Sequence, residues 1–302
     1  MSTRSKPGTR SILVTGGGGG VARALAGCDW PVGTDVVALP RQALDICDAG
    51  QVDAVIAALA PAVVINTAAY TAVDLAEKAS PSVLGVNDRG CEILSGVAAR
   101  HGVKLLHVST DFVFSGALGR PYRETDPTDP LNAYGRSKLR GEEQVLGGAA
   151  EAVVVRTSWL LSGRAGFIPA ILARARQGKA LDVVSDQIGT PTDVDDLARA
   201  LRDIALRQAQ GGAIRRLYHV AGAAEATWHD IAAAAAAAWA ARTGEEAPAV
   251  RSVTSADWGA TAARPADSRL DSSAFQNDFG YRLPSWRSRV ADWAAAFERE
   301  RA

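Results

Sequence analysis

The chain carries no excess of charge: 33 lysines and arginines are matched by 33 aspartates and glutamates across 302 residues. A nucleic-acid binder needs a basic face to displace counterions, so the balance argues against that class. No run of about 18 apolar residues is available to span a bilayer. The polar start "MSTRSKPGTR" holds no apolar signal core. Cysteine is scarce, and Cys28, Cys47 and Cys91 are an odd number without metal-ligand spacing. That argues against a disulfide framework and fits a reducing compartment. Each reads as a small buried or half-buried side chain. Internal repeats are missing as well. What remains is a soluble, cytoplasmic, globular protein without membrane or nucleic-acid partners, large enough for one large domain or two smaller ones.

What is present is a regular alternation of apolar runs and helical patterns. "SILVTG" (11–16), "DVVALP" (35–40), "AVVINTAA" (62–69), "KLLHVST" (104–110) and "AVVVRTSWLL" (152–161) read as strands. Between them lie helical stretches, one of which is given a start at Ser80–Pro81 and an end at His101–Gly102. Unbroken apolar strands alternating with helices mean a parallel sheet covered on both faces, so the fold class is α/β, doubly wound and Rossmann-like. After about residue 160 the pattern loosens. "DQIGTPT" reads as a polar turn, "RLYHVAG" (216–222) as a further strand, and the alanine run of "WHDIAAAAAAAWAARTG" as packing. The expected division is a domain over 11–160 with parts of 180–222, and a smaller C-terminal α/β domain over 161–180 and 223–302 that closes over the sheet.

"VTGGGGGVARAL" sets five glycines, Gly16 to Gly20, between the first strand and the first helix. Inside a helix each would cost about 0.5–1 kcal/mol relative to alanine, so something must require them. A phosphate can approach helix-terminal N–H groups where no Cβ intervenes. The run fits two frames, Gly16-x-x-Gly19-x-x-Ala22 and Gly17-x-Gly19-x-x-Ala22, the second matching the common dinucleotide pattern. An acidic residue ending the second strand would hold a ribose 2′-hydroxyl. Here "ALPRQ" offers no carboxylate before Asp45, and Arg41 stands ready for a 2′-phosphate. NADPH is therefore the expected cofactor, with NADH the alternative.

The fourth strand ends in "HVSTDFVFSG", which brings Ser109, Thr110 and Asp111 to the carboxyl end of a central strand, where open α/β sheets bind ligands. The helix beginning "NAYGRSKLRGEEQ" then carries Tyr134 and Lys138 four residues apart, on one face. A hydroxyl, a phenol and an ammonium beside a nicotinamide resemble the short-chain dehydrogenase/reductase superfamily and its Tyr-x-x-x-Lys pair. A phenol with a pKa near 10 needs about 4 kcal/mol to reach neutrality. An ammonium about 4 Å away at an effective dielectric near 20 supplies that much. Tyr134, Lys138 and Thr110 are thus the catalytic candidates: the phenol gives the proton, the lysine tunes it and holds the ribose, and Thr110 fixes the carbonyl oxygen.

Within the superfamily the chain resembles the dTDP-4-dehydrorhamnose reductases. "VVINTAAYTAVDLAE", "VND", "STDFVFSG", "GRPYRETDPTDPLNAYGRSKLRGE", "RTSW", "DQIGTPT" and "RPADSRLD" run in family order through both halves. The resemblance implies NADPH-dependent reduction of a dTDP-linked 4-keto-6-deoxy sugar to dTDP-L-rhamnose, with a homodimer left open. It implies that Gly19, Gly20 and Val21 line the pyrophosphate, Asp45 and Ile46 the adenine, and Ala69, Tyr70 and Thr71 the rest of the cofactor; Gly16, from the glycine loop, is a further cofactor-binding candidate. Thr110, Asp111, Tyr134 and Trp159 would touch the sugar nucleotide, with Val73 nearby, and Arg264 would pair with the diphosphate. Phe112 stands where the family usually has tyrosine, Ser115 where aspartate is frequent, and Ala22 where glycine is frequent. These departures bear on the exact substrate. No acidic cluster matches the magnesium contact of some relatives, so no metal is expected. The rivals are a ketoreductase for another nucleotide-bound sugar, a non-catalytic regulatory subunit of the same fold, and an epimerase or dehydratase.

Overall fold

A computed structural model describes residues 10–79, 84–148 and 151–299. The expected helix start at Ser80–Pro81 lies outside the described residues.

Five apolar runs become the strands β1 (Arg10–Thr15), β2 (Thr34–Leu39), β3 (Val63–Asn66), β4 (Lys104–Thr110) and β5 (Ala152–Thr157), and Leu217–His219 adds a sixth. All pair in parallel, in the order Leu217–His219, β5, β4, β3, β1, β2. Both faces are covered, which is why the strands lack alternation. On one face Ile12, Val14, Ile65 and Val155 pack with Leu25 of helix α1 (Gly20–Ala26) and with Leu197, Leu201 and Ile204 of helix Val194–Ala209. On the other, Leu13, Val64, Leu105 and Val154 meet Val52 and Ile56 of helix α2 (Ala49–Leu59), Leu94 and Val97 of Arg89–Arg100, and Val145 of Ala133–Gly148. The strand order turns back at β1, with β2 on one side and β3 on the other. A crevice opens beyond the carboxyl ends of these strands, at the switch point.

A separate apolar cluster forms in the C-terminal part. Helices Phe167–Ala175, Trp228–Thr243 and Val290–Arg299 enclose Trp239, Trp286, Trp293 and Phe297. The alanine run does pack: Ala232, Ala235 and Ala236 are buried. Thr227 and Asp230 cap that helix reciprocally and Gly244 ends it. "DQIGTPT" departs from the expected polar turn. Ile188–Gly189 pairs with Ala226–Thr227, Thr192–Asp193 pairs with Leu160–Leu161, and Gln187, Thr190 and Thr192 are buried. Its polar residues serve buried hydrogen bonds: Thr192 donates to the Thr190 carbonyl and accepts from the Gly222 N–H. The end of "AVVVRTSWLL" likewise leaves the main sheet, and Leu160–Leu161 joins this smaller pair. No helix among the described residues is long and apolar enough to cross a membrane.

Candidate active site

One cleft of about 1160 Å3 runs across the carboxyl ends of the central strands. It is larger than a pocket for a single drug-sized ligand, roughly 300–1,000 Å3. Gly16, Gly19, Gly20, Val21, Arg41, Asp45, Ile46, Ala69, Tyr70 and Thr71 line one part of it. Val73, Thr110, Asp111, Tyr134, Lys138, Trp159 and Arg264 line the rest. Every candidate catalytic or binding residue named from the sequence borders the same space.

The glycine loop is built for close approach. Gly16 has φ +71°, and a Cβ there would sit 2.8 Å from the Ala68 backbone. At Gly18 and Gly20 an added Cβ would meet nothing within 4 Å, so those positions leave the loop bare toward the cleft. That is the cradle a pyrophosphate needs. At the far edge Arg41 bonds Asp45 at 3.2 Å while staying exposed. The Cys47 N–H and then Arg41 hold the Asp45 carboxyl below its usual range. Arg41 thus partly cancels the one carboxylate near the end of β2.

Asn87, from the "VND" stretch, clamps the middle of the cleft. Its Oδ1 accepts the Tyr70 N–H at 2.8 Å, and its Nδ2 donates to the Tyr70 carbonyl and to Ser137 Oγ. Ser137 lies on the Tyr134 helix, so one buried amide ties the loop after β3 to that helix. Nothing local in the sequence marks this role.

Tyr134 is 9% exposed and meets Phe112 edge-on, centroids 5.7 Å apart. Burial pushes its phenol up to about 12; the Thr110 hydroxyl acts the other way and the Asp111 charge adds to the rise. This corrects the expectation that Lys138 pulls the phenol down. The lysine Nζ bonds the Val108 carbonyl at 2.8 Å and His107 at 3.3 Å instead, and is itself lowered by burial. Thr110 donates to Asp111 Oδ1 at 3.0 Å and accepts from the Phe112 N–H. Its single proton is therefore engaged, and offering it to a carbonyl means exchanging Asp111 for the ligand.

Asp111 is a hub beneath this group. It accepts from Thr110, from Ser158 at 3.0 Å and from Ser268, all too weak together to offset burial, and its pKa rises from 3.8 to about 6. The native protein therefore holds this proton more tightly than the unfolded chain. Stability from it is full below about pH 4 and is lost as the pH rises through about 6, a change of about 3 kcal/mol. Asp111→Asn removes that decline. Urea unfolding at pH 4 and pH 7 should show the variant gaining up to about 3 kcal/mol on the wild type over this interval.

Trp159 belongs at once to the cleft and to the C-terminal core. Its ring stacks on Trp228 at 4.0 Å and 7°, and its backbone takes φ +43°, rare for a side chain of that size. Gly189 makes room for it: a Cβ there would lie 2.4 Å from the indole. Trp228 lines the cleft too and was missed, since at the start of a helix it reads as packing. Arg264 reaches the cleft but is engaged, bidentate to Asp74 at 2.7 and 3.1 Å. Asp74 also accepts the Ala262 N–H, so this pair joins the segment after β3 to the "RPADS" loop.

A family model described as the RmlD substrate binding domain matches residues 10–299. The chain is 39% identical over 281 residues to the dTDP-4-dehydrorhamnose reductase of Aggregatibacter actinomycetemcomitans, covering 91% of this chain and 95% of that one. It is 38% identical over 285 residues to a probable dTDP-4,6-dihydroxy-2-methyloxan-3-one 4-ketoreductase of Streptomyces antibioticus, covering 93% of each. Among solved structures, a dTDP-4-dehydrorhamnose reductase of Bacillus anthracis in complex with NADP superposes with a TM-score of 0.86 at 28% identity, covering 97% of this chain and 99% of that one. With its fold, its cleft and its matches in agreement, the chain belongs to the RmlD family, that of the dTDP-4-dehydrorhamnose reductases.

Proposed function

We propose that the chain reduces the 4-keto group of a dTDP-linked 4-keto-6-deoxyhexose, giving dTDP-L-rhamnose, with NADPH as donor and NADH as a weaker substitute. The carrying observation is the placement of Thr110, Tyr134 and Lys138 in one cleft with the bare glycine loop. That loop fits a dinucleotide, because the space a Cβ would take at Gly18 and Gly20 is open. On this reading Gly16, Gly19, Gly20 and Val21 hold the pyrophosphate, Arg41 the 2′-phosphate, and Asp45 and Ile46 the adenine. Ala69, Tyr70 and Thr71 follow its length, and Lys138 holds the nicotinamide ribose.

When bound, the nicotinamide supplies hydride to the carbonyl carbon. Negative charge then grows on the carbonyl oxygen, and Tyr134 delivers the proton. A phenol held near 12 is fully protonated at neutral pH, the state an acid must be in before it acts. An alkoxide is more basic than a phenolate, so the transfer runs toward the alcohol. Thr110 positions the oxygen once it turns from Asp111. Residues 161–180 and 223–302 form the sugar-nucleotide side, a division supported by Trp228 and Arg264 at the cleft, and Trp159 and Val73 complete that wall.

The stacked pair gives a test of this side. Gly189→Ala must push the Trp159 ring off Trp228. KM for the sugar nucleotide should rise about tenfold, equivalent to one lost aromatic contact of about 1.4 kcal/mol. The NADPH dissociation constant, followed by fluorescence titration, should stay unchanged. The reading as a whole is tested by absorbance at the nicotinamide band with dTDP-, UDP- and GDP-linked ketosugars. Fast oxidation confined to the dTDP-4-keto-6-deoxy sugar supports it. Turnover of a different ketosugar alone would assign the chain to another branch of sugar-nucleotide reduction.

A further inference from the structure

Beneath the cleft runs a file of buried polar groups that crosses three strands and ends on Lys138. Thr15 Oγ1 on β1 donates to Asn66 Oδ1 on β3 at 2.6 Å. Asn66 Nδ2 lies 2.9 Å from His107 Nδ1 on β4, and His107 Nε2 lies 3.3 Å from Lys138 Nζ. Thr15, Asn66 and His107 are 0% exposed and Lys138 is 2% exposed, so protein groups alone decide where the protons sit.

That order can be read off. The Ala68 N–H donates to Asn66 Oδ1 at 3.2 Å, and a backbone N–H cannot reverse its role. The amide oxygen therefore faces β1 and its loop, and the NH2 faces His107, with Cys91 Sγ as a second, longer contact at 3.7 Å. His107 Nδ1 must accept. An acceptor Nδ1 leaves no second N–H for an imidazolium, and complete burial likewise holds the imidazole neutral, well below its usual range. A neutral imidazole has one N–H, here on Nε2, directed at Lys138 Nζ. An ammonium has no lone pair to receive it; an amine does.

We propose that before the dinucleotide binds, Lys138 is a neutral amine accepting the His107 Nε2–H, and that it takes up one proton from solvent as the cofactor enters. His107 is a positioning residue here, acting through the lysine, and the second half rests on the cofactor reading given above. The surroundings agree. From helix Arg89–Arg100 the nearest titratable group is Cys91, a thiol pushed up to about 11 by burial, with the Asp88 charge further away. On the lysine's own helix stand Tyr134, neutral, and Glu142, whose charge is met by Arg156 from β5 at 2.7 Å. From β1 and β3 come only Thr15 and Asn66, and from β4 the Val108 carbonyl and His107. Among the described residues no uncompensated anion touches the nitrogen, and burial lowers the lysine in the same direction, ahead of the smaller upward pulls of Cys91 and Glu142. A dinucleotide brings an anionic pyrophosphate and ribose hydroxyls that accept from an ammonium, and so favours the charged form.

The tautomer is read directly in the full chain by long-range 15N–1H correlation of its four histidines. His219 gives an internal contrast: its Nδ1 faces the Tyr122 carbonyl at 2.9 Å and must carry the proton there. The expected result is one buried imidazole protonated on Nε2, His107, and one on Nδ1, His219. Calorimetric titration with NADPH at about pH 8.5, in buffers of different ionisation enthalpy, counts protons while the 2′-phosphate stays dianionic. Wild type should take up about one proton per cofactor bound. His107→Gln, whose amide oxygen can accept from an ammonium, should bring uptake close to zero while binding persists. A proton on His107 Nδ1, or a wild-type binding enthalpy independent of buffer, would overturn the proposal. These two readouts stand even if the glutamine variant does not fold. Failure of NADPH to bind at all would instead strike the cofactor reading, and the tautomer would still be decided.

Discussion

Tyr134→Phe should lower kcat by about 10²–10⁴-fold, the usual range for a positioned general acid, while NADPH binds as before. The change removes one oxygen and nothing else. The ring keeps its edge-on contact with Phe112, and the helix keeps its clamp through Asn87 and Ser137. Thr110 loses a neighbour but retains Asp111 and the Phe112 N–H. Single-turnover kinetics with excess enzyme checks the chemical step free of product release. A loss of less than tenfold would mean that the proton comes from elsewhere. The pH profile carries a companion result: with the phenol near 12, no alkaline limb from Tyr134 should appear below about pH 10.

The largest stability effect is expected behind the site, at Arg156→Met. Arg156 forks onto Glu142 at 2.7 to 3.1 Å, Ser109 donates to the same carboxylate, and both charged side chains are almost fully buried. Removing the guanidinium leaves a carboxylate without its counter-charge in a dry interior, which costs about 3–5 kcal/mol. The melting temperature should fall by about 10 °C, as thermal unfolding followed by circular dichroism would show. Replacing Glu142 and Arg156 together by methionine should recover much of that loss, because a buried pair contributes little over a well-packed apolar substitute. A single change that leaves the melting temperature in place would contradict the assigned burial of the pair. Since Glu142 sits two turns along the helix from Tyr134, the single variant should also lose activity.

The sheet was legible because a parallel strand buried on both faces reads as a near-continuous apolar run, and "ILV" (12–14), "VVI" (63–65) and "AVVV" (152–155) supply one in three of the strands. Their ends were less so: Asn66 closes β3 three residues early and Thr157 closes β5 four residues early, where the chain turns from strand pairing to the cleft. The site residues were legible because strand ends and helix starts are fixed points of this topology. Their chemistry was not. Four-residue spacing put Lys138 beside Tyr134, but it could not show that the Val108 carbonyl and His107 would claim the ammonium position first. Arg264 was readable as a guanidinium near a phosphate site, whereas its engagement by Asp74 joins residues 190 positions apart. The same holds for Trp228 on Trp159 and for the file from Thr15 to His107. Each depends on contacts between distant segments, which spacing along the chain does not encode.

On the proposed function, hydride reaches C4 of a dTDP-linked sugar and Tyr134 supplies the accompanying proton. Deuterated NADPH, carrying the label on the transferred position, follows both events with dTDP-4-keto-6-deoxy-L-mannose as acceptor and the product read by mass spectrometry and 1H NMR. The expected result is one deuterium at C4 of a dTDP-6-deoxyhexose formed by the wild type, and almost none formed by Tyr134→Phe under the same conditions. Cofactor bound to the wild type with the ketosugar returned unlabelled and unreduced would contradict it.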